Sequence, residues 1–504
     1  MKSIKSAIYT NELYEINLEA MIARGLPAFS IVGLASVSIK ESVDRIKAAF
    51  MNLDNFTLPA KKITINLSPS DIPKSGSHFD LAIALLVCLY EVDIDNEYYV
   101  FGELGLDGSV KSTANLFSIL LFLASFKPNA KVLIPKEISE QASLIYNLKC
   151  YAISNLNEAI EFFKLDNKEN YKIKYNEKIF SNLIKINGKT YVKNTEFLSD
   201  FKDIRGQNQA KLACKIAALG MHNIILEGSP GCGKSMCAKR IVYIMPPLSI
   251  DEILKINAYK SLNKESLSLS PIRSFRSPHR SSTISSILGG GTRDAKIGEL
   301  ALANNGVLFF DEFAYYNKQI IESLREPLED NFINISRVNS KITYETKFLF
   351  FAALNPCPCG NLFKQEQTCT CYEKDIKRYK SHISSPIYDR IDLYVAMDEV
   401  KPDAKSTVSS EELSNEILKA FIFQKEVRKQ DEYNGKLSDL DIKKYCVLED
   451  EANEVLNKAI NNYNLSARAK NKVLKVARSL ADFDEKIMIN AKHIKIALSF
   501  RYKG

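Results

Sequence analysis

The sequence predicts a multidomain α/β protein. It reads as a mixed α/β domain over residues 1–164, a polar linker over 165–199, a parallel α/β sheet over 200–400 and a helical domain over 401–504. Three observations carry this division. The chain has 504 residues, too many for one hydrophobic core. Its first third alternates short β-rich runs with helical stretches. Its middle third places apolar runs before glycines or acids and follows them with helical patterns, as βαβ units do.

Composition narrows the class. Hydrophobic residues make up 46% and charged residues 25%, ordinary for a globular chain able to bury real cores. A formal charge of +8 permits nucleic acid as a partner without requiring it. The opening "MKSIKSAIYTNELYEI" has no apolar leader, and the longest apolar runs, "LAIALLVCLY" and "LFSILLFLASF", are too short to span a bilayer. Cys88, Cys214 and Cys446 fall in apolar or helical patterns, so the expectation is reduced thiols and a cytoplasmic protein with no membrane partner.

In the front domain, "FSIVGL", "KKITINL" and "KVLIP" read as strands. "SVSIKESVDRIKAAF" and "GSHFDLAIALLVCLY" read as helices. The linker "KLDNKENYKIKYNEKIFSNLIKINGKT" has few packing signals beyond the makings of a hairpin.

The phosphate chemistry begins at "NIILEGSPGCGKSMCAKRIVYIM": an apolar strand, G-x-x-x-x-G-K-S, then a helix. Over Gly228, Ser229, Pro230, Gly231, Cys232 and Gly233 the glycines let successive N–H groups curl around one anion, at the positive end of the following helix. Lys234 reaches the β- and γ-phosphates, and Ser235 offers its hydroxyl to Mg²⁺. The buried run "GVLFFDE" then supplies Asp311 for the Mg²⁺ shell and Glu312 to polarise water. A third buried run, "KFLFFAALN", ends in Asn355, an amide placed to sense the γ-phosphate. In "PIYDRIDL", Arg390 either reaches a neighbouring subunit's phosphate or forms a surface ion pair with Asp389 or Asp392.

Beyond Asn355 lies "NPCPCGNLFKQEQTCTC", two C-x-C pairs separated by nine residues. Cys357, Cys359, Cys369 and Cys371 form a structural zinc site, a set of packing thiols or a redox pair. Four thiolates would leave zinc no open position for catalysis. Between Lys234 and Asp311 lie 76 residues, more than one helix and strand need. That insert carries Arg273, Arg276, His279, Arg280 and Arg293 among serines and glycines, suited either to phosphate backbones or to packing between subunits. "INISRVNSKITYETKF" reads as a hairpin turning at Asn339-Ser340. The basic C-terminal stretch from "LSARA" has the periodicity of a helical lid.

"GSPGCGKS", "RSPHR", "GGG", "IGELALANNGVLFFDE", "LREPLED", "ISR", "NPCPCG", "DRIDL" and "LSARAKNKVLKVARSLAD" follow one another as in the YifB/ComM family. The chain thus resembles the magnesium-chelatase-like AAA+ ATPases of bacteria over nearly its whole length, from "RGLPAFSIVGL" onward. The resemblance implies an AAA+ P-loop core, ATP and Mg²⁺ bound between subunits, and a ring, expected to be hexameric. It makes Asn355 sensor 1, Arg390 the arginine finger and Arg468 the sensor-2 arginine. ComM-type members are DNA helicases that drive branch migration in natural transformation. Ser385 stands where the family has a glycine, and Asn304 or Asn305 where it has a histidine. Neither change touches the phosphate chemistry. The front domain is similar to the proteolytic domain of Lon, with its ribosomal-protein-S5-like α+β fold. The nucleophile position there falls at His78 and the lysine position at Ile119, so the dyad is absent and no peptidase is expected. Two other functions compete with a DNA motor: a chelatase motor subunit, and a protein-remodelling platform indifferent to DNA.

Overall fold

Val307–Phe310 and Leu349–Leu354 are buried at every residue, as their unbroken apolar runs require of strands covered on both faces. In the computed structural model, which describes residues 2–9, 12–53, 56–92, 94–290, 296–337, 340–364, 368–400, 404–405 and 408–502, they lie side by side in a five-stranded sheet. Its order is Phe275–Arg276, Val307–Phe310, Leu349–Leu354, Ile224–Gly228, Leu393–Met397, and every pairing is parallel. All carboxyl ends therefore meet along one edge, where open parallel sheets bind their ligands.

Helices Asn208–Gly220 and Lys234–Ile244 present Ala213, Ile216, Ala217, Cys237 and Ile241 to the core that holds Ile224, Leu226, Phe309 and Phe351. The C-terminal helices share that core: Ala467–Phe483 contributes Val473, Val476, Ala477 and Leu480. Two guanidiniums, from Arg478 and Arg428, flank the Asp482 carboxylate at 3.2 and 2.5 Å. All three groups are almost fully removed from water. Asn434 Nδ2 donates to the same carboxylate at 2.7 Å. Asp482→Asn keeps the shape and removes the only charge between two buried cations. The expected cost is about 3–5 kcal/mol, read as a lower urea midpoint.

Two compact units emerge, residues 1–180 with Asn257–Leu269, and Ser181–Ile256 with 270–504. The expected linker is divided between them. Leu183–Ile186 and Lys189–Val192 form an antiparallel hairpin that adds Leu248–Ser249 as a third strand of the second unit. Tyr171 stacks edge-on to Phe162 in the first.

The first unit carries a mixed seven-stranded sheet: Ala28–Val32, Lys62–Ser68, Leu13–Ala23, Lys2–Tyr9, Tyr98–Val100, Lys131–Pro135, Lys149–Ile153. Helix Val37–Met51 buries Ile39, Ser42, Ile46, Ala49 and Phe50, an amphipathic stripe at helical spacing. Helix Asp80–Cys88 is buried all round, from Asp80 to Val87. Asp80 is tolerated because Arg45 Nε sits 2.8 Å from its carboxylate and Ser42 donates to it. His78 is also wholly buried: its Nε2 is 3.1 Å from the Ala7 carbonyl, and burial pulls its pKa down to about 4. Ile119 is a core residue of helix Leu116–Phe126. Among the described residues no helix is long and apolar enough to cross a membrane.

Candidate functional site

Strand Ile224–Gly228 delivers the chain to the sheet's carboxyl edge, and helix Lys234–Ile244 leads away from it. Between them Gly231 and Gly233 take φ of +87° and +101°, conformations that cost a side-chain-bearing residue dearly. A Cβ at Gly231 would meet nothing within 4 Å, so the loop opens outward there. Lys234 is 8% exposed. Its Nζ donates to the carbonyls of Gly228 and Ser229 at 2.5 and 3.0 Å and to Asn355 Oδ1 at 3.3 Å. All three acceptors are neutral, and burial pushes its pKa down. A buried ammonium with no carboxylate partner among the described residues is suited to an incoming anion.

Ser235 Oγ lies 3.0 Å from Asp311 Oδ2, so the two expected Mg²⁺ residues converge although they are 76 positions apart in sequence. The group expected from the motif therefore fits the residues present: one hydroxyl and one carboxylate at the foot of an anion-binding loop. Glu312 follows with φ of +51°, a backbone twist that separates its carboxylate from that of Asp311. Glu312 Oε2 pairs with Arg280 Nη1 at 3.0 Å, both half-exposed.

Arg280 was expected on a substrate or a neighbour, and its partner here is Glu312. Other insert arginines are likewise engaged. Arg273 is buried, donating to Pro246 O, Asn305 O and Tyr433 Oη at 3.1, 2.7 and 2.7 Å, so it braces the fold and is not available to a phosphate backbone. Arg276 forms a two-pronged pair with Glu299 at 2.6 and 2.9 Å. His279 Nδ1 is 2.7 Å from Ser281 Oγ. Arg293 lies outside the described residues. The hairpin is present as Phe332–Arg337 against Ser340–Glu345, with Ile335 opposite Ile342; its turn residue Asn339 lies outside the described residues.

Arg390 pairs with neither Asp389 nor Asp392. Asp392 instead accepts from Asn223 N at 2.9 Å and faces His222 Nδ1 at 3.4 Å. The Arg390 guanidinium is held by the carbonyls of Arg325 and Pro386 at 3.0 and 2.7 Å and ion-pairs with Glu329. Arg468 reaches the other oxygen of the same carboxylate at 2.6 Å. Two arginines 78 positions apart thus converge on one anion, and among the described residues neither contacts the Gly228–Ser235 loop. The signal for Glu329 was in "LREPLED", but only as a motif; nothing in its spacing pointed to this partnership.

Sequence reasoning also missed a cavity of about 480 Å³ beside the phosphate loop, lined in part by Gly206, Gln207, Ala210, Val395 and Asp398. Gln207 Nε2 ties it to the loop, donating to Cys232 O and Asp398 O at 3.2 and 2.7 Å. Gly206 and Gln207 both take positive φ immediately before helix Asn208–Gly220, and the glycine there was a readable cue.

The four cysteines do come together. All four Sγ atoms lie within 4.8 Å of one another, and the closest pairs are at 3.4–3.6 Å.

Residues 18–138 match the family model described as subunit ChlI of Mg-chelatase. Residues 200–405 match that of magnesium chelatase, subunit ChlI, and residues 407–501 that of its C-terminal part. The chain is 34% identical to the uncharacterized protein YifB of Escherichia coli, covering 96% of this chain and 94% of that one. It is 32% identical, with the same coverage, to the competence protein ComM of Haemophilus influenzae. An uncharacterized protein of Mycobacterium tuberculosis is 30% identical over 97% of this chain and 96% of its own length.

Proposed function

The chain belongs to the magnesium chelatase subunit ChlI family, alongside YifB and ComM, and on that premise we propose an ATP-hydrolysing ring motor that acts on DNA. The observation that carries the ATPase is the convergence of Lys234, Ser235, Asp311, Glu312 and Asn355 at one edge of the parallel sheet. Lys234 exchanges its carbonyl partners for the β- and γ-phosphates. Asn355, already bonded to Lys234, reads whether the γ-phosphate is present. Glu312, released from Arg280, orients the attacking water and takes its proton. Ser235 and Asp311 would hold Mg²⁺, which would supply charge neutralisation at the terminal phosphates. The cavity beside Gln207 takes the base. Zn²⁺ occupies the four-cysteine cluster as a structural ion.

In this reading the active unit is a hexamer. Arg390 and Arg468 form the half-site that a subunit offers to its neighbour's nucleotide. Residues 1–164 are a Lon-like domain that gates or docks the ring, without peptidase activity at His78 and Ile119. Residues 165–199 link it to an AAA+ core over 200–400, and 401–504 form the lid. Ten cysteines without a disulfide suit a cytoplasmic protein.

Support for DNA comes from the similarity to a protein named for competence, and branch migration in recombination or natural transformation is the proposed task. ATP turnover measured alone and with single-stranded DNA, duplex and a four-way junction tests it. The expected result is several-fold stimulation, largest with branched DNA and weakened by added salt. Turnover indifferent to all three would return the chain to a chelatase motor subunit or a protein-remodelling platform.

A further inference from the structure

A tetrahedral zinc with thiolate bonds of about 2.3 Å sets its sulfurs about 3.8 Å apart. Here the close Sγ pairs stand at 3.4 Å (Cys357–Cys359) and 3.6 Å (Cys357–Cys369 and Cys359–Cys369), far beyond a disulfide. Cys371 completes the set, its sulfur accepting the Cys359 N–H at 3.4 Å, a bond suited to a thiolate.

The cluster is joined to the phosphate site at four points. Cys357 comes two residues after Asn355, whose amide oxygen holds Lys234. Gly360, at φ +79°, lies so close to the phosphate loop that a Cβ there would stand 2.7 Å from Pro230 Cδ. Tyr315, just after Glu312, donates its hydroxyl to Pro358 O at 3.3 Å. Helix Glu373–Lys380, which starts just past Cys371, ends in Lys380, 3.2 Å from the buried Glu227 in the strand that feeds the loop. One small knuckle thus touches the phosphate loop, its lysine's partner, the turn after the proposed catalytic acid and the strand beneath.

We propose that Cys357, Cys359, Cys369 and Cys371 form a tetrathiolate zinc site that holds the phosphate loop in its nucleotide-binding shape, so that zinc binding and ATP binding strengthen each other. This rests on the cysteines being zinc ligands and on Gly228–Ser235 binding ATP. Coupling of this kind is reciprocal.

The full-length chain, purified without a metal-affinity tag, is assayed for zinc by elemental analysis and for a fluorescent ATP analogue by anisotropy. Both are repeated after phenanthroline treatment and again after zinc is restored under reducing conditions. About one zinc per chain is expected, with about a tenfold loss of ATP affinity on removal and recovery on restoration. Because stripped protein can simply unfold, Gly360→Ala supplies the second arm. It leaves all four thiols in place and presses a methyl group on Pro230, and because a side chain at φ +79° also strains the backbone, its zinc content and urea midpoint are read beside its ATP affinity. It should keep its zinc and still bind ATP more weakly.

A freshly purified chain without zinc overturns the metal site and the proposal with it. Zinc at one per chain, with ATP affinity unchanged both by its removal and by Gly360→Ala, overturns the coupling and leaves the metal site standing. Zinc-loaded protein that binds no ATP overturns the reading of the phosphate loop.

Discussion

Glu312→Gln lowers ATP turnover by roughly 10²–10⁴-fold while leaving nucleotide binding and ring assembly intact; that span is what a positioned general base supplies. The two acids that close strand Val307–Phe310 divide the work by geometry. Asp311 is engaged at 3.0 Å by Ser235, the residue proposed to share the metal with it, whereas Glu312, with its left-handed φ, pairs with Arg280. Glutamine keeps the volume and one oxygen but cannot accept the proton of water. Anisotropy with a fluorescent ATP analogue reads binding, and phosphate release reads turnover. Wild-type turnover in the variant would remove Glu312 from the chemistry.

Arg390→Ala also loses hydrolysis, by roughly 10³-fold or more if the arginine acts on the neighbour's phosphate. The carbonyls of Arg325 and Pro386 hold its guanidinium as a fixed fork, and Glu329 fills the remaining face. A fork held by its own backbone at Glu329, with no contact to its own phosphate loop, is arranged to work on something brought to it. Lys234→Ala is inactive for the opposite reason, since it lacks the loop's cation. In a ring of head-to-tail interfaces, an equal mixture of the two variants restores both groups at about one interface in four, so about a quarter of wild-type turnover returns. Mixed rings with no recovery would place Arg390 in its own subunit's fold alone.

The parts of this site that could be read from sequence are those whose chemistry is local. Val307–Phe310 was legible to the residue because a buried parallel strand must be apolar throughout and its end is marked by two acids. The loop from Gly228 to Ser235 was legible because its glycines and lysine act within eight positions. Strands Lys2–Tyr9 and Leu13–Ala23 were missed although the second carries a readable cue: Glu15, Asn17 and Glu19 alternate with the buried Ile16, Leu18 and Ala20. The pairing itself, in full register with Lys2 opposite Ala20 and Tyr9 opposite Leu13, was not legible. The hairpin inside the expected linker was half visible; its attachment to Leu248–Ser249, more than fifty residues on, was not.

Charge partners were the hardest part. Arg280 meets Glu312, 32 positions away, and Arg390 meets Glu329, 61 positions away. An arginine's sequence neighbours are poor guides to such partners, because the sheet edge gathers groups from separate crossovers. Asp389 and Asp392 flank Arg390 in the chain, yet Asp392 turns inward to Asn223 and His222. The same physics removed Arg273 from the candidates for DNA, since burial leaves a guanidinium only the acceptors packed around it.

The buried Arg428–Asp482–Arg478 cluster also has a mechanical meaning. Arg468 is the second residue of helix Ala467–Phe483, and the cluster grips that helix near its other end. From Arg468 to the grip is about twelve residues, a stiff arm of about 18 Å at 1.5 Å per residue. A tilt of about 6° about the grip moves the Arg468 end by about 2 Å, enough to break its 2.6 Å bond to Glu329. The helix is also held along its length, by Val473, Val476 and Ala477 in the core and by Lys472 bonded to the carbonyls of Tyr388 and Ile391, so its Arg468 end shifts only when the C-terminal bundle turns as one piece.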